Sequence, residues 1–357
     1  MSAAEQDDRA ESIRMIRDSA AALAPPSGDL KRIRDLRFQD PGFDAGLFRQ
    51  MGEMGWIGLR VPEALGGAGL GLGEMCALAE ELGGALVPEP LIAASLSAQV
   101  LAAAERHGAL PVLLAGEVLV LTAWQERPDT LEVPGTPEAP RRFLPMAAGA
   151  DFFLVPVREG GKLALYELPA ARCVPTVERT QDGGNLGSIV PNLAEGTKLA
   201  DDIGPVLADA LDEAALVTAA YLLGGMERAF GMTLDYLRTR QQFGKIIGTF
   251  QALQHRAANL KMQIALTRAS IEAAAATLDA GATGDARRAA VSRAKARAAE
   301  ASLLVQRECI QLHGGIGYTD QYDVGLYLRK AMVMANQYGS ATLHRRRFMA
   351  TSPEVEE

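Results

Sequence analysis

From Leu207 to its C-terminus the chain is alanine-rich and speckled with charge, a texture that favours long helices over any sheet. Four helical patterns follow one another there. In the second, Leu253, Leu260, Ile264, Ile271 and Leu278 fall seven, four, seven and seven residues apart, so they share one stripe of a helix. In the third, Ala296, Ala299, Leu303, Gln306 and Ile310 step by three and four. Between the two lies Gly281-Ala-Thr-Gly-Asp285, a C-cap glycine followed by an N-cap aspartate, which predicts an antiparallel helical hairpin. The last third is therefore expected to be a helix bundle.

Upstream the texture changes. Between Val118 and about Leu199, short apolar runs are broken by Pro and Gly: Val118-Leu-Val-Leu-Thr-Ala-Trp124, Phe152-Phe-Leu-Val-Pro-Val157 and Leu163-Ala-Leu-Tyr166. They predict strands of a small antiparallel unit, with Glu159-Gly-Gly161 as the turn between the last two. Before Glu117, helical patterns surround one Gly-rich passage from Val61 to Gly73, which Pro62 and its glycines keep out of regular helix. No strand precedes that passage and no Lys-Ser/Thr follows it, so it is expected to serve backbone packing rather than a phosphate cradle. Helix resumes from Glu74 to Leu82, with Met75, Leu78, Ala79 and Leu82 on one face. The fold class is mainly α with a β insert. The 357 residues divide, on this reading, into 1–117 helical, 118–203 β and 204–357 helical bundle.

Composition narrows the function. A net charge of −8 disfavours nucleic acid or anionic membrane as a main partner, since both need basic surface. Arg345-Arg346-Arg347 is a short run suited to the C-terminal end of a helix. Cys76, Cys173 and Cys309 are scattered, without Cys-x-x-Cys or histidine at ligand spacing, so neither a disulfide framework nor a zinc site is expected. No apolar run approaches the roughly twenty residues that span a bilayer, and acids run through Met1 to Ala22, unlike a targeting peptide. The expected location is the cytoplasm.

Three motifs in the bundle carry chemistry as a set. They are Arg240-Gln-Gln-Phe-Gly244 at the end of one helix, Phe250-Gln251 opening the next, and Gln311-Leu-His-Gly-Gly-Ile-Gly-Tyr-Thr319 ending the third. Arg240 offers a planar fork to a pyrophosphate. Gly314, Gly315 and Gly317 would let backbone N–H groups approach a phosphate or ribose closely. Gln251 and Gln311 add amide donors and acceptors, and Phe243 an apolar face for a ring system. No strand precedes the glycines, so this is not a Rossmann fingerprint.

At these residues the chain resembles the acyl-CoA dehydrogenase family. The similarity extends to Gly55-Trp-Ile-Gly-Leu59, Val61-Pro-Glu-Ala-Leu-Gly-Gly67 and Ala150-Asp-Phe-Phe-Leu-Val155, and the intervals agree, eleven residues from Arg240 to Gln251 and sixty from Gln251 to Gln311. The resemblance implies an N-terminal helical domain, a small antiparallel β-barrel or sheet domain and a C-terminal four-helix bundle. It implies FAD contacted by Arg240, Phe243, Gln251, Gln311, Leu312, His313, Gly314 and Gly315 across a subunit boundary. It also implies an acyl-CoA substrate, α,β-desaturation with a carboxylate as base, and an electron-transferring flavoprotein as acceptor.

The sequence departs from that pattern where the base belongs. Tyr338, in Gln337-Tyr-Gly-Ser340, stands at the usual position of the glutamate, and a second family position holds Ala214. Some relatives carry glutamate one step further along that helix, where this chain has Tyr221. Glu213 and Glu227 are the remaining candidates, each expected on a solvated helix face. In the β region, Arg142-Phe-Leu-Pro145 replaces a tryptophan-bearing strand that covers the flavin in relatives, and Leu121 to Trp124 takes the place of a flavin- and substrate-contacting strand. A short chain with intact motifs and no base resembles one subunit type of the heteromeric acyl-CoA dehydrogenases of bacterial steroid side-chain breakdown. Two alternatives stand beside that reading: a homotetramer with a relocated carboxylate, and a non-catalytic relative without flavin.

Overall fold

The computed structural model describes residues 3–25 and 28–351. In chain order its helices are α1 (Ala3–Leu23), α2 (Lys31–Leu36), α3 (Ala45–Glu53), α4 (Leu72–Gly84), α5 (Leu91–Ala102), α6 (Leu110–Leu114), α7 (Gly204–Thr239), α8 (Gln251–Asp279), α9 (Gly284–His313), α10 (Val324–Met334) and α11 (Ala341–Met349). The strands are β1 (Val120–Thr122), β2 (Arg141–Pro145), β3 (Phe152–Glu159), β4 (Lys162–Pro169), β5 (Thr176–Arg179), β6 (Asn185–Ile189), β7 (Thr197–Ala200), β8 (Gln241–Gln242) and β9 (Lys245–Ile246). Two compact units result, one of residues 1–30, 72–87 and 215–357, the other of residues 31–71 and 88–214.

The first unit is the helical bundle. Its stripe on α8 is buried as the spacing predicts, with Leu260, Ile264, Ile271 and Leu278 at 3, 0, 3 and 6% exposure and Leu253 half-buried. Each such side chain contributes about 1.5–3 kcal/mol on leaving water. Gly281 takes the left-handed conformation that ends α8, at φ 82°. The N-cap of α9 is Thr283 rather than Asp285. Asp285 lies inside the first turn, where its charge meets the helix dipole and pairs with Arg288 at 3.0 Å.

Helix α4 is buried almost all round, which its apolar stripe alone did not require. It crosses α7 with backbones touching: a Cβ on Gly83 would come within 2.0 Å of the Tyr221 carbonyl oxygen, and one on Gly224 within 1.8 Å of that of Glu80. Glu80 therefore sits inside the bundle. Its carboxylate accepts from Arg17 of α1 at 2.6 Å and from both Nη atoms of Arg268 of α8, Nη1 at 3.1 Å. Arg17 also reaches Glu81 at 2.5 Å, and Arg268 reaches Glu227 of α7 at 3.1 Å. Four helices are tied through this cluster.

The second unit holds two open sheets, ordered β1-β3-β4-β7 and β2-β6-β5. Gly160 and Gly161, at φ 55° and 87°, close the β3–β4 hairpin at the expected place. Pairing is antiparallel except between β1 and β3, which run parallel because the chain leaves to form β2 in the other sheet before returning. Arg141 lies fully buried and donates to the carbonyls of Thr136, Ala139 and Pro156, so it closes the long loop before β2. In the Gly-rich passage, a Cβ on Gly67 would meet the Val61 carbonyl oxygen at 2.1 Å, a backbone-packing glycine as its sequence suggested.

Burial raises the pKa of Glu80, but hydrogen bonds from Arg268 and Arg17 outweigh it and hold the carboxyl below its ordinary value of 4.5. A depressed folded-state pKa stabilises the fold above about pH 4.5, and the contribution fades as pH falls through the folded value. Glu80→Gln is expected to cost about 3 kcal/mol at pH 7, because two arginines lose their counter-charge. Thermal melts from pH 7 to 3 should show wild-type Tm falling faster with acid than that of the variant.

Candidate functional site

Arg240 follows the last turn of α7, and its N–H donates to the Tyr236 carbonyl at 2.9 Å. Its guanidinium is exposed and has no hydrogen-bond or ion-pair partner among the described residues. The chain then makes the small β8–β9 hairpin, with Phe243 at its tip in the left-handed conformation, φ 54°, and 90% exposed. A phenylalanine held in solvent and in a backbone region that disfavours side chains is a double expense. It meets Phe250 edge-to-face at 6.3 Å between centroids, and Lys245 lies over that second ring. Gln251 opens α8 one residue later and is exposed.

The third motif arrives at the same end of the bundle. Tyr236 and His313 stack with ring centroids 4.6 Å apart, which joins the end of α7 to the end of α9. Arg256, one turn into α8, donates to Glu308 on α9 at 2.5 and 2.9 Å. Gln311 is exposed while Leu312 and His313 turn inward, 6 and 3% exposed. Gly314 ends α9 at φ 68° and ψ −144°, a conformation for which glycine alone is suited. No heavy atom lies within 4 Å of a Cβ placed on Gly314 or Gly315. The three motifs thus share one end, with an unpaired guanidinium, an exposed aromatic ring and open space beside two glycines, the Gly314 N–H itself donating to the Gln311 carbonyl. An anionic, ring-bearing dinucleotide fits that set, with Arg240 on its charge and Gly314 and Gly315 admitting its phosphates or ribose.

The candidate bases fare differently. Tyr338 is buried in the turn after α10, left-handed at φ 53°, and burial pushes its phenol pKa upward. Lys295, fully buried on α9, donates to the Ala335 and Gly339 carbonyls, both at 2.8 Å. His344 Nε2 donates to the Tyr338 carbonyl at 2.8 Å, so the turn is clamped from two sides. Ala214 is buried, and Tyr221 is buried with its hydroxyl on the Val87 carbonyl at 2.9 Å. Glu213 is not on a solvated face: it is 6% exposed and held by Arg60, Nε at 3.0 Å and Nη2 at 3.1 Å, while Arg60 Nη1 donates to the Leu70 carbonyl. Glu227 pairs with Arg268 and borders a groove of about 480 Å³ with Phe230, Gly231, Leu234, Lys261 and Ile264. Glu213 belongs to the second compact unit and Glu227 to the first.

Thr122 of β1 turns inward, its hydroxyl 2.9 Å from that of Ser97, and Trp124 is 6% exposed. Tyr236, Tyr322, Lys295 and His344 were not singled out by sequence. Only Tyr236 left a trace, one helical turn before Arg240. Among the described residues no cluster of three His, Cys, Asp or Glu could hold a metal, and no helix is long and apolar enough to cross a membrane.

Comparison with known proteins gives one family. The family described as acyl-CoA dehydrogenase, C-terminal domain, matches residues 204–351, and acyl-CoA dehydrogenase, N-terminal domain, matches residues 10–109. Acyl-CoA dehydrogenase IpdE2 of Mycolicibacterium smegmatis is 32% identical over 330 residues, covering 92% of this chain and 93% of its own. IpdE2 of Mycobacterium tuberculosis is 32% identical over 336 residues, covering 93% of each. Among solved structures, a chain of the ChsE4-ChsE5 complex from Mycobacterium tuberculosis aligns with TM-score 0.85 at 25% identity, over 96% of this chain and 98% of that one. A variant of the Tcur3481-Tcur3483 steroid ACAD gives 0.84 at 27% identity, over 96 and 98%.

The two glycines of the bend separate backbone strain from ligand contact. Gly314→Ala is expected to lower stability by about 1–3 kcal/mol through backbone strain alone, since its Cβ would meet nothing. Gly315→Ala should melt within about 1 °C of wild type, as small surface changes do. Differential scanning fluorimetry of the two variants checks both expectations.

Proposed function

The chain belongs to the acyl-CoA dehydrogenase family, and from that premise we propose that it is a flavin-dependent subunit completing its site with a related chain that supplies the base. The substrate is an acyl-CoA thioester, desaturated between its α and β carbons. A carboxylate of the partner removes the α proton, and electrons leave to an electron-transferring flavoprotein. Bound FAD supplies the acceptor for the β-hydrogen as hydride. This chain's part is to hold the cofactor: Arg240 balances the pyrophosphate, the Gly314–Gly315 bend leaves room for it, and Phe243 and Gln251 extend towards a neighbouring chain.

One observation carries the reading. The turn at Tyr338 is clamped with a buried phenol where a base belongs, and both remaining candidates, Glu213 and Glu227, are tied to arginines, while Arg240, Phe243, Gln251 and Gln311 stand exposed. A carboxylate already gripped by a guanidinium is poorly placed as a base, because its oxygens are turned to the arginine and not to a substrate C–H. The relatives named for steroid-linked and two-chain assemblies support a bulky acyl group and a heteromer.

The test is to purify the chain alone and with a co-encoded homologue, and to record flavin absorbance and acyl-CoA-dependent dye reduction. Activity is expected from the pair and not from either chain alone; full turnover by this chain by itself would overturn the heteromer. In the active pair, Glu213→Gln and Glu227→Gln should keep kcat within about threefold, whereas a true base loses about a hundredfold or more. Arg240→Gln should weaken FAD binding about tenfold or more, read by flavin content after gel filtration.

A further inference from the structure

His313 lies between the two halves of the dinucleotide grip, yet its ring is unavailable to a ligand. It is 3% exposed and packs against two rings, Tyr236 at 4.6 Å and 31° and Tyr322 at 4.7 Å and 47°, which themselves meet edge-to-face at 6.3 Å, so the three close into one cluster. Nδ1 faces the Cys309 carbonyl at 2.7 Å and must donate to it, which leaves Nε2 an acceptor. Nε2 is buried and without a partner. Burial also holds the imidazole pKa down, so the ring stays neutral. An orphaned buried acceptor destabilises the fold, so what the site uses is the flat ring and not its second nitrogen.

The cluster connects two chain ends. Tyr236 accepts from the Arg240 N–H one turn on, and Gly314 follows His313 directly. We propose that His313 is a positioning residue: its ring, packed against both Tyr236 and Tyr322, fixes the Gly314–Gly315 bend in register with the α7 terminus, so that guanidinium and bend meet the same phosphate-bearing ligand. This rests on the FAD reading above. Tilted aromatic contacts of this kind stabilise beyond the area they bury, and here they set the geometry of a bend that glycine leaves loose.

Three substitutions separate ring from hydrogen bond. His313→Ala removes both, His313→Phe keeps the ring and drops the orphan, and His313→Gln keeps a donor without a ring. Each is purified with the co-encoded homologue, stripped of flavin and titrated with FAD by fluorescence quenching, with melting of the flavin-free complex measured alongside. His313→Ala and His313→Gln should bind FAD about tenfold more weakly, and His313→Phe within about threefold of wild type with an equal or higher Tm. Because His313 acts through the placement of Arg240, adding His313→Ala to Arg240→Gln should weaken binding by less than about threefold further. Unchanged binding in His313→Ala, rescue by Gln but not Phe, or full additivity with Arg240→Gln overturns the proposal. A wild-type complex that takes up no FAD would instead remove the reading on which it rests.

Discussion

The bundle depends on one crossing. Gly83 and Gly224 allow α4 and α7 to meet backbone to backbone, and that contact carries Glu80 to the centre, where only charged partners make its burial tolerable. Arg17 and Arg268 are those partners, so α1 and α8 are drawn to the same point. Tyr221 and Tyr327 add hydroxyls to the carbonyls at the end of α4, on Val87 and Gly84. With α7 and α8 set by this cluster, their far ends, which carry Arg240 and Gln251, are set as well. A site on exposed chain ends needs such a rigid base, because its own residues make few contacts.

Local pattern was readable wherever energy is local. The α8 stripe, the Gly160–Gly161 turn and the motif spacings depend on periodicity and on φ preference, and they lie where the sequence places them. Long-range charge pairing was not readable. Arg60 and Glu213 are 153 positions apart, and Arg268 and Glu80 are 188 apart, so nothing near Glu213 or Glu80 announces a partner. Glu213 looked solvated for that reason. Asp285 misled differently: an aspartate before a helical run has the composition of an N-cap, but the helix begins ahead of it, at Gly284 with Thr283 as the cap, and the aspartate serves the dipole instead.

The candidate site divides along the same line. Exposure of Arg240, Phe243 and Gln251 follows from hairpin and helix starts that the motifs themselves encode. The support beneath them does not, because Tyr322 and Tyr236 meet His313 only once three separate segments have folded. Lys295 and His344 belong to the same class. Each is a polar residue inside an apolar pattern, and each is explained by carbonyls 40 or 6 positions away.

Those two residues bear on why a carboxylate is absent from the turn at Tyr338. Lys295 spends its charge on two carbonyls, and His344 donates its Nε2 proton to a third, so the donors around the turn face its backbone. A glutamate placed there would enter a nearly closed environment whose hydrogen-bond donors are engaged, and an ionised carboxylate without donors is among the costliest groups to bury. A phenol suits so buried a place, since its neutral hydroxyl demands far less. The turn is thus built for a neutral side chain, because the donors packed around it are committed to its backbone.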